Sequence, residues 1–191
     1  MIFGIPSTTE TISDENSIIS TPWFSFFQNL WRSTRASLDV RLGGVLNINT
    51  SSASNSGTAE TDLISYTLFK NSLTTDGDLI EIDAWGTYVS NGNNKTVALK
   101  FGSQTLITTG AVAANGGSWH ISAKIIRTAA ATQEILGEII SSNSSVTDSN
   151  TRTAGTQDLA TDLIIKCIGT SGTASSDITQ YSLIVKLTPY D

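Results

Sequence analysis

The feature that most constrains the fold of this chain is a regular alternation of apolar and polar residues, which begins near Thr61 and recurs to the C-terminus. Eight segments show the alternation: 60–69, 78–90, 95–102, 104–110, 118–128, 133–141, 162–170 and 178–190. A period of two places successive side chains on opposite faces of a strand, so each segment predicts a β-strand with one buried face. We expect no helix in this part of the chain.

The connections between these segments are rich in glycine and asparagine, as at 75–78, 91–94 and 115–117. Both residue types accept positive φ at little cost, which favours tight antiparallel hairpins. The spacing leaves no place for βαβ crossovers. The sequence therefore predicts an all-β fold, an antiparallel jelly-roll-type β-sandwich over residues 59–191, with a similar small β-barrel as the other arrangement.

A different pattern precedes the strands, at residues 22–33, where apolar residues recur at spacings of three and four. Ser20 or Thr21 can cap a short α-helix there, and Pro22 suits its first position. Its candidate anchor or interface residues are Trp23, Phe24, Phe26, Phe27, Leu30 and Trp31. Apolar groups cover most of this helix, so it needs a partner surface, either its own domain or a copy of the chain or another protein.

Polar stretches flank the predicted helix on both sides. Residues 1–35 are interpreted as an extended N-terminal arm that ends in the aromatic helix. Residues 36–58, which are rich in serine, asparagine and glycine, are interpreted as a linker. The expected organisation is therefore an arm and anchor helix at 1–35, a linker at 36–58 and a jelly-roll domain at 59–191.

Charge and cysteine content restrict the partners and the compartment. The net charge is −6 at pH 7 and only 15% of residues are charged, which is a poor match for a surface that binds phosphates, so we expect no nucleic-acid partner. The single cysteine, Cys167, excludes an intramolecular disulfide. The N-terminus lacks the features of a signal peptide and no apolar run is long enough to cross a bilayer. We expect a chain made in the cytoplasm, without membrane insertion.

The residues that could carry catalysis are few. His120 is the only histidine and lies in an alternating strand segment without a nucleophile elbow in the chain. The carboxylates of Asp76, Asp78, Glu81 and Asp83 could offer oxygens to calcium, but they lack the spacing of a calcium loop. We therefore expect no enzymatic activity, no cofactor and no metal.

Three aromatic residues of the strand segments are candidates for a functional surface: Trp85, Tyr88 and Trp119. An exposed aromatic ring on a strand can pack at a subunit interface or stack on a sugar. The alternative for each of them is packing within its own domain.

Two stretches of the sequence resemble bacteriophage virion proteins. Residues 20–32, STPWFSFFQNLWR, are similar to the start of many such proteins, in which an aromatic helix precedes a fibre or spike. Residues 58–68, TAETDLISYTL, together with AWGT at 84–87 and NNKTV at 93–97, look like the jelly-roll domains of tail fibres and capsid-attached head fibres. The resemblance covers most of the chain up to about Gly102.

The resemblance implies a non-enzymatic virion component, made in the host cytoplasm, that is anchored to the capsid or tail by its arm. It also implies a homotrimer, contacts with other virion proteins, and in some relatives attachment to host-surface glycans. The chain has neither a collagen-like repeat nor a heptad stalk, so it suits a short fibre or decoration protein. Two alternatives come from other classes: a carbohydrate-binding module with a lectin-like β-sandwich, and a glycan-degrading spike that uses Glu81 or Asp83.

Overall fold

The computed structural model describes Trp23, Phe26, Phe27 and residues 43–142, 149–173 and 176–190. The chain divides into two compact units, residues 1–42 and 43–191. In the first unit the three described residues are helical, and their rings pack against one another with centroids 5.6 to 5.8 Å apart. The rest of the predicted arm and helix, including Phe24, Leu30 and Trp31, lies outside the described residues.

Twelve β-strands lie in the described part of the second unit. In chain order they are β1 (Gly44–Asn49), β2 (Ala53–Ser54), β3 (Thr61–Leu68), β4 (Leu79–Tyr88), β5 (Ser90–Phe101), β6 (Gln104–Thr108), β7 (Val112–Asn115), β8 (Ser118–Ala129), β9 (Thr132–Ser141), β10 (Ser149–Gly155), β11 (Leu163–Ser171) and β12 (Ile178–Thr188). Each of the eight predicted segments corresponds to one strand, namely β3, β4, β5, β6, β8, β9, β11 and β12. The other four strands were not predicted.

The strands form two antiparallel sheets packed against each other. Sheet A has the order β1-β12-β4-β8-β9-β10, with β2 also paired to β12, and sheet B has the order β3-β11-β5-β6, with β7 also paired to β5. The pairs β1–β12, β3–β11, β4–β8 and β5–β6 are nested along the chain. Nested antiparallel pairs divided between two sheets are the jelly-roll arrangement, so the predicted fold class is confirmed.

The core lies between the two sheets and follows the alternation of the sequence. On β4, for example, Ile80, Ile82 and Ala84 are buried, while Glu81 and Asp83 point away from sheet B. The same alternation on β8, β9 and β12 gives sheet A a buried inner face and an outer face that is open to solvent. Within the described residues, no helix is long and apolar enough to span a bilayer.

The sandwich begins earlier than the sequence indicates. Residues 44–54 fall in the stretch interpreted as a linker, yet they contribute β1 and β2 to sheet A, and Leu46 and Ala53 pack against the core. Asn55 is fully buried and exchanges hydrogen bonds with the backbone of Ile178, accepting at 2.8 Å and donating at 3.1 Å. The alternation of β1 is interrupted by a bulge between Val45 and Asn47, which hides the strand in the sequence.

Candidate functional site

The outer face of sheet A carries most of the large apolar side chains that the described strands expose. These side chains are Val45, Ile48, Trp85, Ile126, Leu136, Ile140 and Tyr181. On β4, β8, β9 and β12 they lie next to buried residues, and on β1 Val45 and Ile48 lie beside Lys186 and Ile184 of β12. A strand face that contacts only solvent carries mainly polar residues. The exposed apolar residues of this face are therefore typical of a contact surface.

Charged side chains on the same face alternate in sign from one strand to the next. In sheet order they are Lys186 on β12, Glu81 and Asp83 on β4, Lys124 on β8, Glu134 and Glu138 on β9, and Arg152 on β10, and the imidazole of His120 lies on the same face of β8. Side chains on neighbouring strands of this face contact each other. Lys124 Nζ lies 3.8 Å from Glu81 Oε1, and His120 Nε2 lies 3.4 Å from Asp83 Oδ1. We refer to this outer face of sheet A, with its exposed apolar residues, as the striped face.

A shallow depression of about 210 Å³ lies in the middle of the striped face. Its polar walls come from Glu81, Asp83, Ser122, Lys124 and Glu138, and Leu136 adds an apolar edge. Because neighbouring strands are about 4.8 Å apart, side chains from β4, β8 and β9 reach into it together. The depression therefore combines both signs of charge with one exposed aliphatic group.

The three aromatic residues that are candidates for a functional surface differ in their exposure to solvent. Trp85 lies on the striped face with 39% of its surface exposed. Tyr88 and Trp119 are 4% and 1% exposed. Both pack inside their own domain, which is the alternative that the sequence left open for them. Burial raises the pKa of Tyr88 to about 12. Only Trp85 of the three offers a ring face to a partner.

The outer face of sheet B has a different character. Its strands carry two exposed ion pairs, Lys166 with Asp62 at 2.7 Å and Lys100 with Glu60 at 2.6 Å. Among the described strand residues of this sheet, Ile164 is the one exposed large apolar side chain. This face therefore resembles an ordinary solvated strand surface.

The four carboxylates that could have formed a calcium site are held apart by separate contacts. Asp76 pairs with Arg127 at 3.1 Å. Asp78 is buried, and its carboxylate accepts hydrogen bonds from three backbone amides at 2.7 to 2.9 Å. Glu81 and Asp83 point out of the striped face. In the described residues, no three His, Cys, Asp or Glu side chains are grouped to hold a metal ion.

Cys167 is fully buried in the core of the sandwich, on β11. Desolvation raises the pKa of its thiol to about 12, and a hydrogen bond with Gln180 opposes this shift. A neutral, covered thiol is not a nucleophile at neutral pH. This residue is part of the packing.

A buried polar network at one end of the sandwich had no signal in the sequence. Lys95 is fully buried, and its ammonium group donates to Asn91 Oδ1 at 2.7 Å, to the Ala114 carbonyl at 2.7 Å and to the Asn93 carbonyl at 3.1 Å. Asp177, 1% exposed, accepts from the amide of Asn91 at 2.7 Å. Desolvation lowers the pKa of Lys95, and the charge of Asp177 opposes this shift.

The network joins segments that are distant in sequence. The second carboxylate oxygen of Asp177 accepts hydrogen bonds from Ser171, Thr173 and Asn93 at 2.5 to 3.1 Å. These contacts connect the start of β5 with the β11–β12 connection, and Lys95 adds β7 through Ala114. The arrangement satisfies two buried charges and fixes this end of the domain.

No family model matches the chain, and no curated protein sequence matches it.

Proposed function

We propose that this chain is a non-enzymatic structural protein of a bacteriophage virion, a short homotrimeric fibre or decoration protein. Its N-terminal arm attaches it to other virion proteins of the capsid or tail, and its jelly-roll sandwich projects outward to act in host attachment. The observation that carries the proposal is the division of the chain into two compact units, residues 1–42, in which Trp23, Phe26 and Phe27 are helical and in ring contact, and residues 43–191, which include the sandwich.

The anchor role is supported by the aromatic residues of the first unit. Trp23, Phe26 and Phe27 are helical and pack against one another, and Phe27 still exposes 43% of its surface. Exposed aromatic clusters are typical of the central parts of protein–protein interfaces. This cluster fits a site that docks on another virion protein.

The contacts of His120, the acidic residues and Cys167 support a structural role rather than a catalytic one. His120 contacts Asp83 on an open strand face. Asp76 pairs with Arg127, and Asp78 accepts hydrogen bonds from backbone amides. The Cys167 thiol is covered by the core. These side chains do not converge on a pocket that would exclude water from a reaction.

The test is electron microscopy of particles from the source that encodes this chain, labelled with gold-conjugated antibody against residues 43–191. The proposal predicts label at a fixed position on the capsid or the tail, and the chain among the proteins of washed particles. Particles that lack the chain while it accumulates in the soluble fraction would overturn the proposal.

Trp85 favours a second candidate function, a carbohydrate-binding module. Its exposed ring lies on the striped face beside His120 in the β4–β8 register, and sugars stack on such rings between polar groups. A glycan array of the full chain tests this function, with Trp85→Ala as the variant and Phe69→Ala, an exposed ring just after the end of β3, as the control. Binding that is lost only in Trp85→Ala supports it, and no binding by the full chain contradicts it.

A further inference from the structure

The two outer faces of the sandwich differ in the number of large apolar side chains that they expose. Seven large exposed apolar side chains lie on the strands of sheet A, whereas Ile164 is the one on the described strands of sheet B. An apolar surface of this kind on one sheet only indicates a side that becomes covered. The identity of the covering surface follows from the charges that lie among the apolar groups.

We infer that the striped face is the surface through which copies of this chain associate, so that its occupant is a second copy of the chain. The inference rests on the proposed function in one respect, because that function includes a homo-oligomer. It adds the surface of contact and the residues that give it specificity.

The order of the charges makes the striped face complementary to itself. Basic and acidic strands alternate from β12 through β10, and neighbouring strands are separated by about 4.8 Å. In a ring of three copies around an axis that runs along the strands between β4 and β8, β4 of each copy therefore lies opposite β8 of the next, and basic strands lie opposite acidic ones. Glu81 and Asp83 of one copy then meet the Lys124 strand of the next, which favours association in a defined register.

The balance of charge on this face also favours a second copy as its occupant. The chain as a whole carries a net charge of −6, so copies of it repel one another. On the striped face, Lys124, Lys186 and Arg152 offset most of the charge of the four glutamate and aspartate side chains. Copies that approach through this face meet a nearly balanced set of charges, and Trp85, Leu136 and Ile140 lose their exposure to water when the faces join.

Charge exchange on β4 and β8 provides the direct experiment, with the full chain and light scattering over a range of concentrations. One variant, Glu81→Lys with Asp83→Lys, makes both central strands basic, and the other, His120→Glu with Lys124→Glu, makes both acidic. We expect each variant alone to dissociate at concentrations at least ten times higher than the parent chain. We expect a variant that carries all four substitutions to associate like the parent chain, because a basic β4 then lies opposite an acidic β8 of the next copy.

A matched pair of single substitutions, each of which replaces an exposed apolar residue by arginine, compares the two sheet faces directly. Leu136 on the striped face and Ile164 on sheet B are 49% and 47% exposed, and each lies within a strand. We expect Leu136→Arg to weaken association at least tenfold and Ile164→Arg to leave it unchanged. Circular dichroism melting of all variants identifies any that fail to fold, and the apolar pair remains informative if a charge variant does.

The outcomes distinguish this inference from the proposed function. Association that survives the charge variants and Leu136→Arg overturns the inference, while a virion location would still stand. Association that is lost in these folded variants, and is restored when all four charge substitutions are combined in one chain, supports the inference even if washed particles lack the chain. A monomeric parent chain at all concentrations overturns the inference directly.

Discussion

At the scale of single residues, the buried charges of Lys95 and Asp177 illustrate how much a sequence can conceal. Neither residue belongs to a recognisable motif, and a lysine in an asparagine-rich stretch normally predicts a solvated turn. The structure instead gives the Lys95 ammonium three acceptors and the Asp177 carboxylate four donors. Such a network depends on contacts between distant segments, which local residue patterns do not contain.

Replacement of Lys95 should therefore destabilise the protein strongly. In Lys95→Met the buried Asp177 keeps its charge but loses the nearby cation, and two backbone carbonyls lose a donor. We expect a loss of about 3 kcal/mol in the free energy of unfolding, measured by urea denaturation. The control, Lys100→Met, breaks a surface pair with Glu60 and should cost about 1 kcal/mol or less. Equal losses in both variants would contradict this account of the network.

The buried thiol predicts how stability depends on alkaline pH. In the unfolded chain a cysteine has a pKa of about 8.5, whereas burial holds the pKa of Cys167 at about 12. Between these values the unfolded state has released a proton that the folded state keeps, so the free energy of unfolding falls as pH rises. Below about pH 8.5 this contribution does not change with pH.

The expected slope from Cys167 is at most about 1.4 kcal/mol per pH unit above pH 9. Urea denaturation at intervals from pH 8 to 11 measures it. Cys167→Ala should show a shallower decline over this range, whatever its stability at pH 8, while the buried Tyr88 contributes the same fall to both proteins above pH 10. Parallel pH profiles for the two proteins would show that the thiol does not titrate as described.

At the scale of the elements, the alternation of apolar and polar residues located eight of the twelve described strands. The four remaining strands are short or lack the alternation, so the sequence pattern does not indicate them. The strand β10, with sequence SNTRTAG, has almost no apolar residues because it pairs only at the edge of sheet A. The strand β1 contains a bulge, which shifts its pattern by one residue.

The start of the sandwich at Gly43 leads to a prediction about shortened chains. A chain that begins at Gly43 keeps β1, β2 and Asn55, whereas one that begins at Ala59 loses them. Without them the backbone of Ile178 loses its partners and the edge of β12 is left open. We expect the longer form to melt cooperatively and the shorter one to melt at a temperature lower by 10 °C or more, or to aggregate, because several core contacts are lost.

Thermal melting followed by circular dichroism compares the two forms at equal concentration. Asn55→Ala in the longer form separates the side-chain contribution from that of the strands, and it should lower the stability by about 2 kcal/mol. If the form that begins at Ala59 melts like the longer one, then residues 43–58 act as a linker, as the sequence indicated.

At the scale of the whole molecule, the fold class could be predicted because alternation and turn chemistry determine where strands begin and end. The candidate surface could be predicted only in part. All three aromatic residues were candidates for a surface, with packing inside the domain as the alternative. The alternation on β4 places Trp85 with Glu81 and Asp83 but Tyr88 with the buried Ile80 and Ile82, and Trp119 on β8 likewise lies on the buried side. The charge stripes depend on the order of strands within sheet A, and that order results from pairing between distant segments.

The central claim is that the sandwich itself assembles into an oligomer, while the aromatic helix serves as a separate anchor. The most direct measurement is the solution mass, by light scattering, of the full chain and of a chain that begins at Gly43. We predict that both are trimers, with a mass of three times 20.2 kDa for the full chain. A monomeric shortened chain would contradict the claim, because assembly would then depend on the N-terminal residues, and monomers in both would favour the carbohydrate-binding module.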